Sequence, residues 1–99
     1  MFKTLFGIGP KVDLGQKIKE GATIVDVRTA DEFRSGHVKG AINIPLDRIQ
    51  DQLKKLDKSK PVITCCRSGA RSGMAADELK RHGFEVYNGG PWTLVNNLK

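Results

Sequence analysis

The sequence predicts a small α/β domain with a parallel sheet and helices on both faces, and three observations predict it. Apolar, β-branched runs recur about every twenty residues, with helix-type patterns between them. The runs are close to continuously apolar, as strands covered on both faces are. The 99 residues suffice for one core and no second one, since a chain of this length buries roughly 60–70% of its unfolded surface.

The strand candidates, in order, are Thr23-Ile24-Val25-Asp26-Val27, Ala41-Ile42-Asn43-Ile44, Pro61-Val62-Ile63-Thr64-Cys65 and Phe84-Glu85-Val86-Tyr87. Before the first, Asp13 and Gln16 are spaced as a capping box, with Leu14 and Ile18 one turn apart. Thr29 and Glu32 form a clearer box, opening a short helix through Phe33. After Pro45, Leu46, Ile49, Leu53 and Leu56 fall at steps of three and four, an apolar stripe able to lie on the sheet. A longer helix is expected from Ala70 to His82, burying Met74, Ala75 and Leu79, with Gly83 accepting a left-handed conformation beyond its end. A short last helix is expected over Pro91 to Leu98, carried by Trp92, Val95 and Leu98.

With 38% hydrophobic and 28% charged residues, the chain is too apolar for disorder, and no apolar run is long enough to span a bilayer. Met1 to Phe6 opens like a signal sequence, but Gly7, Gly9, Pro10 and Lys11 interrupt it. The expectation is one cytoplasmic domain over residues 1–99, with residues 1–11 as an N-terminal extension or edge segment. Gly7-Ile8-Gly9 is not a dinucleotide fingerprint, because Val12 takes the third glycine position and no strand precedes it. The net charge of +6 is diffuse. Its one dense stretch, Lys54, Lys55, Lys58 and Lys60, suits a helix C-terminus and has no aromatic platform, which argues against a nucleic-acid partner. The two cysteines, Cys65 and Cys66, are adjacent, so a disulfide framework is excluded and a reducing compartment is implied. His37 and His82 lack the spacing and companions of a zinc site, and no metal or cofactor is expected.

The chemistry concentrates in Val62-Ile63-Thr64-Cys65-Cys66-Arg67-Ser68-Gly69-Ala70-Arg71-Ser72, a strand, a tight glycine-containing loop and a helix start. This places a thiol at the C-terminal edge of a parallel sheet, where open α/β sheets bind ligands. Loop amides and the helix dipole converge on the sulfur, and Arg67 and Arg71 add positive charge, so Cys66 is expected to be largely thiolate at neutral pH. Such a cradle suits a persulfide, a thiosulfate group, a phosphate or an arsenate. Asp26 lies in an otherwise apolar strand and needs a partner: Arg28, a loop arginine or backbone donors. His37, Gly40, Asn43 and Pro45 read as turn and strand-end geometry.

At these residues the chain resembles a single-domain rhodanese, of the sulfurtransferase superfamily, over nearly its whole length. Asp26-Val27-Arg28 through Glu32-Phe33, Gly36-His37-Val38-Lys39-Gly40-Ala41 and Asn43-Ile44-Pro45 resemble the family's first signature, and Cys66-Arg67-Ser68-Gly69-Ala70-Arg71-Ser72 its active loop. The resemblance implies that Cys66 attacks the outer sulfur of thiosulfate or another sulfane donor, becomes a persulfide, and passes that sulfur to cyanide or a thiol. It implies that Arg67, Ser68, Gly69, Ala70 and Arg71 hold the anion, with Arg71 closing the cradle and Asp26, Arg28 and Ser72 supporting it from behind. Four residues separate Cys66 from Arg71, as in sulfurtransferases; related phosphatases and arsenate reductases carry five. A partner-dependent sulfur carrier, loaded in a protein relay, is the alternative reading.

Two positions depart from the family pattern. Cys65 stands where relatives often carry an aromatic or polar residue, and strand alternation turns it away from Cys66. Trp92 lies close to the glycine pair Gly89-Gly90, at the mouth of the site or as an anchor for the last helix.

Overall fold

The computed structural model describes residues 12–99, so the reading of residues 1–11, including Gly7-Ile8-Gly9, lies outside the described residues. The chain runs through α1 (Leu14–Lys19), β1 (Thr23–Asp26), α2 (Ala30–Arg34), β2 (Ile42–Asn43), two 3₁₀ segments (Leu46–Arg48 and Gln50–Lys55), β3 (Val62–Cys66), α3 (Ala70–Arg81), β4 (Val86–Pro91) and α4 (Trp92–Asn97). The four strands form one parallel sheet in the order β2-β1-β3-β4. Direction reverses after β2, so the C-terminal ends of β1 and β3 flank the topological switch point, where ligand crevices open in such sheets.

Both faces of the sheet are covered, as the continuous apolar strands require. On one face Val25, Val27, Val62, Cys66 and Val86 pack against Ala75, Ala76 and Leu79 of α3 and Ile49 and Leu56 of the 3₁₀ region. On the other, Ile24, Ile63 and Cys65 meet Val38, Val95 and Trp92, with Leu14 and Ile18 of α1.

The caps behave unequally. The Asp13 side chain accepts from the Gln16 amide at 3.1 Å, but the Gln16 side chain turns to Glu20, so the first box is half made. Thr29 and Glu32 form the complete reciprocal box. After Pro45 the expected α-helix is instead a pair of 3₁₀ segments kinked at Gln52, with φ −122° and ψ 21°. No side chain caps either segment, and steps of three serve a 3₁₀ turn as well as an α-turn. The apolar stripe still faces the core, with Ile49 and Leu56 buried and Leu46 and Leu53 packed beside them.

The end of α3 is as expected: His82 is the C-cap and Gly83 has φ +88°. Met74 is not buried; it is 61% exposed, because the buried face runs through Ser72, Ala75, Ala76 and Leu79. In α4 only Val95 is buried and Leu98 is 44% exposed. The last strand is later and longer than its apolar run, extending through the glycine pair to Pro91.

Candidate active site

Cys66 is the last residue of β3, fully buried, and the chain leaves it through a loop whose Arg67, Ser68 and Ala70 are exposed. The turn into α3 is made at Gly69, whose φ of +104° favours glycine, and a Cβ there would lie 3.4 Å from the Gly90 Cα. This folds the loop back over the sulfur. The Gly69 amide donates to Cys66 Sγ at 3.0 Å and the Ser72 amide at 3.4 Å, while the Ser72 hydroxyl stands 3.4 Å away.

Burial pushes the Cys66 thiol up, but the Ser72 hydroxyl and the Ser72, Gly69 and Ser68 amides together outweigh it, leaving the group below the ordinary thiol value. Its neighbour is the reverse. Cys65 lies on the opposite face, and burial, reinforced by the Asp26 charge, pushes it up to about 12.

The two arginines of the loop separate. Arg67 is exposed. Arg71 is held in a two-point pair, its Nη1 2.7 Å from Glu32 Oε1 and its Nη2 3.0 Å from Glu32 Oε2. Arg71, with the capping hydrogen bond from the Thr29 amide, holds the Glu32 carboxyl down at about 2. The capping-box glutamate thus ties α2 to the loop, a link that the sequence reading did not make. Arg71 also borders an open groove of about 430 Å³ with Val27, Thr29, Pro45, Leu46 and Asp47, at the C-terminal ends of β1 and β2.

Asp26 finds its partner in Arg28. Arg28 Nε donates to Asp26 Oδ1 at 2.9 Å, Nη2 donates to Oδ2 at 2.7 Å, and the Arg28 amide donates to Oδ1 at 3.0 Å. Nη2 also reaches the Gly36 carbonyl at 2.7 Å, and the guanidinium lies 5.0 Å from the Trp92 ring. Trp92 therefore packs on Arg28 and on the face of the sheet that holds Cys65, anchoring α4. Asn43 Nδ2 donates to the Asp26 and Arg28 carbonyls, both at 3.0 Å, clamping the end of β1. His37 Nδ1 stands 2.7 Å from the Phe33 carbonyl and its ring stacks on Phe33, a turn-stabilising place.

Asn88 joins the site without a sequence expectation for it. Its side chain reaches Ser72, Gly69 and Gly90 from β4. The signal that leads to it is the Asn-Gly-Gly run inside a strand, a mark of a bulge or a close backbone approach. Opposite Thr64–Cys66 the β4 register slips, Thr64 pairing with Asn88 but Cys66 with Pro91. Among the described residues no group of three or more His, Cys, Asp or Glu side chains is placed to hold a metal ion. No described helix is long and apolar enough to cross a membrane.

A thiol at the end of a parallel strand, receiving amides of the loop and helix start that follow it, marks the switch point of this parallel α/β sheet. Residues 11–90 match the family described as Rhodanese-like domain, and the chain belongs to that family. It is 35% identical over 71 residues to the thiosulfate sulfurtransferase GlpE of Coxiella burnetii, covering 71% of this chain and 66% of that one. It is 35% identical over 66 residues to the putative sulfur carrier protein YrkF of Bacillus subtilis, covering 67% of this chain and 36% of that one. The chain therefore spans less than two thirds of either relative. The structure described as rhodanese with anions from E. coli superposes with a TM-score of 0.69 at 33% identity, covering 74% of this chain and 89% of that one.

Proposed function

We propose that the protein is a sulfurtransferase that moves sulfane sulfur from a small anionic donor such as thiosulfate to cyanide or a thiol through a persulfide on Cys66. The observation that carries this reading is the Cys66 sulfur at the end of β3, receiving the Gly69 and Ser72 amides at 3.0 and 3.4 Å. The Cys66 thiolate attacks the outer sulfur of thiosulfate. A new S–S bond forms, the donor's own S–S bond breaks, and sulfite leaves with the bonding pair. The charge of Cys66–S–S⁻ now sits on the outer sulfur, where, as the resemblance implies, the amides of residues 67–71 would hold it. Cyanide then attacks that sulfur, the C–S bond of thiocyanate forms, and the electron pair returns to Cys66 as thiolate. A thiolate acceptor follows the same course and leaves as a persulfide.

Backbone amides suit this cycle because they stabilise the negative charge without reorganising. Arg71, fixed by Glu32, contributes positive charge at the loop's end, and exposed Arg67 attracts the anionic donor. Asp26, Arg28 and Ser72 support the loop and strand ends. The four-residue spacing from Cys66 to Arg71 is the one the resemblance to sulfurtransferases implies, and the shorter loop suits a sulfur atom better than a tetrahedral phosphate. A reducing, cytoplasmic setting fits a cycle that depends on a free thiolate. A second reading, a carrier loaded by a partner protein, is favoured by the resemblance to YrkF.

Intact mass before and after thiosulfate, and again after cyanide, tests the proposal. Gain of one sulfur atom, its loss as thiocyanate, and absence of both in Cys66→Ser are expected. No gain from thiosulfate but rapid loading from a persulfidated protein would replace turnover with the carrier reading. Hydrolysis of an aryl phosphate lost in Cys66→Ser would overturn both.

A further inference from the structure

Ser72 has one hydroxyl hydrogen and three acceptors around it. Its Oγ is 2.6 Å from Asn88 Oδ1, 3.1 Å from the Gly69 carbonyl and 3.4 Å from Cys66 Sγ. The orientation of the Asn88 amide is fixed by two backbone groups whose roles cannot change: the Gly90 N–H donates to Oδ1 at 2.9 Å, and Nδ2 donates to the Gly69 carbonyl at 3.1 Å. Oδ1 can therefore only accept, and the short contact with Ser72 requires the hydroxyl hydrogen to lie between the two oxygens. In that arrangement Ser72 has only lone pairs to turn toward the sulfur. It can donate to a Cys66 thiolate only by withdrawing its hydrogen from Asn88.

We infer that Asn88 is a positioning residue: it competes with Cys66 for the single hydrogen of Ser72, and so sets how strongly that hydroxyl stabilises the negative sulfur. The inference rests on Cys66 as the sulfur-bearing nucleophile and deepens that reading. Over the cycle the competition changes sides. When the charge is on Sγ, the Ser72 hydrogen is drawn to it; when the charge has moved to the outer sulfur of the persulfide, the hydrogen returns to Asn88. Asn88 thereby weakens the hold on Cys66 thiolate, which keeps the sulfur a stronger nucleophile than the amides and Ser72 would leave it. The charged groups near Cys66 are Arg71, with Glu32 beyond it, Arg67 in the loop, and Asp26 behind the strand. None of these touches Asn88.

The sign of one shift separates this role from simple support of the loop. The rate of iodoacetamide alkylation of Cys66 is measured against pH in the wild type, Asn88→Ala, Asn88→Leu, Ser72→Ala and Ser72→Ala/Asn88→Ala. Removing the competing acceptor should move the titration midpoint down in both Asn88 variants. Ser72→Ala should move it up, and the double variant should titrate like Ser72→Ala. If Asn88 only braces the loop, its removal loosens the Gly69 amide and moves the midpoint up; that result, or a downward shift that persists without Ser72, overturns the inference. Alkylation needs no sulfur donor, so the outcome is independent of whether thiosulfate loads Cys66.

Discussion

Cys65 and Cys66 are bonded neighbours with opposite chemistry, and the two-residue period of a strand is the cause. Cys65 points into Ile24, Val38, Ile63 and Val95, where only the neutral thiol is comfortable. Cys66 ends the strand where the amides of the loop turn back on it. Relative to the ordinary value of 9.0, the fold raises one and lowers the other. The linkage signs follow. Cys65 contributes stability that is fully present below pH 9 and lost as pH rises toward 12. Cys66 contributes stability present above pH 9 and lost as pH falls through its lowered value. In the folded protein at pH 8, iodoacetamide should therefore modify Cys66 and leave Cys65 intact, with a Cys66 rate profile half-maximal below pH 9. Peptide mapping by mass spectrometry reads both. Equal modification of the two, or loss of sulfur loading in Cys65→Ala, would refute the division. This much was legible in the sequence, because alternation and a glycine-bearing loop after the second cysteine suffice to assign the faces. The partners of Arg71 and Ser72 were not, since Glu32 and Asn88 come from 39 and 16 residues away.

At the level of elements, the sequence located each of the described strands but not where each stops. β4 shows why: its apolar run ends at Tyr87, yet pairing with β3 continues to Pro91 through a register slip that only backbone geometry reveals. Gly89 makes the slip feasible. A Cβ on it would lie 2.7 Å from Val95 Cγ2, 2.8 Å from Ile63 Cγ2 and 2.8 Å from the Thr64 carbonyl. The last contact is with backbone and cannot swing aside. Gly89→Ala should therefore destabilise the domain by about 1–3 kcal/mol, the usual cost of overpacking, seen as a lower urea midpoint with an unchanged slope. An unchanged midpoint would mean that both α4 and the β3–β4 pairing yield without cost. The region after Pro45 departs from its expected α-helix for a different reason. Its stripe of Leu46, Ile49, Leu53 and Leu56 reports which face is buried, and that face is buried, but spacing of three and four does not separate an α-helix from 3₁₀ turns broken at Gln52.

Across the whole molecule, Asp26 and Arg28 add a polar link between parts that the apolar core also joins. Their pair is almost completely removed from solvent, with side chains 0% and 5% exposed. Through Arg28 it reaches the Gly36 carbonyl after α2 and the Trp92 ring that opens α4. Through the Asp26 carbonyl it meets Asn43 of β2. The sequence singled out Asp26 because an unpaired carboxylate in that strand would be costly, and Arg28 was one of its candidate partners; the reach to Gly36 and Trp92 is tertiary and left no local pattern. A buried pair of this kind is worth little against apolar replacements of similar size, yet breaking it from one side strands a charge. Asp26→Ala should cost about 3–5 kcal/mol, a large share of the roughly 5–15 kcal/mol that holds a domain folded. The double variant Asp26→Leu/Arg28→Met should cost less than Asp26→Ala, even though it removes both partners and the Gly36 hydrogen bond. Urea unfolding of Asp26→Leu, Arg28→Met and the double gives the coupling directly. If the double instead loses at least the sum of the singles, the pair contributes net attraction that apolar packing cannot replace, and the ends of β1, α2 and α4 are held together by charge rather than by the exclusion of water.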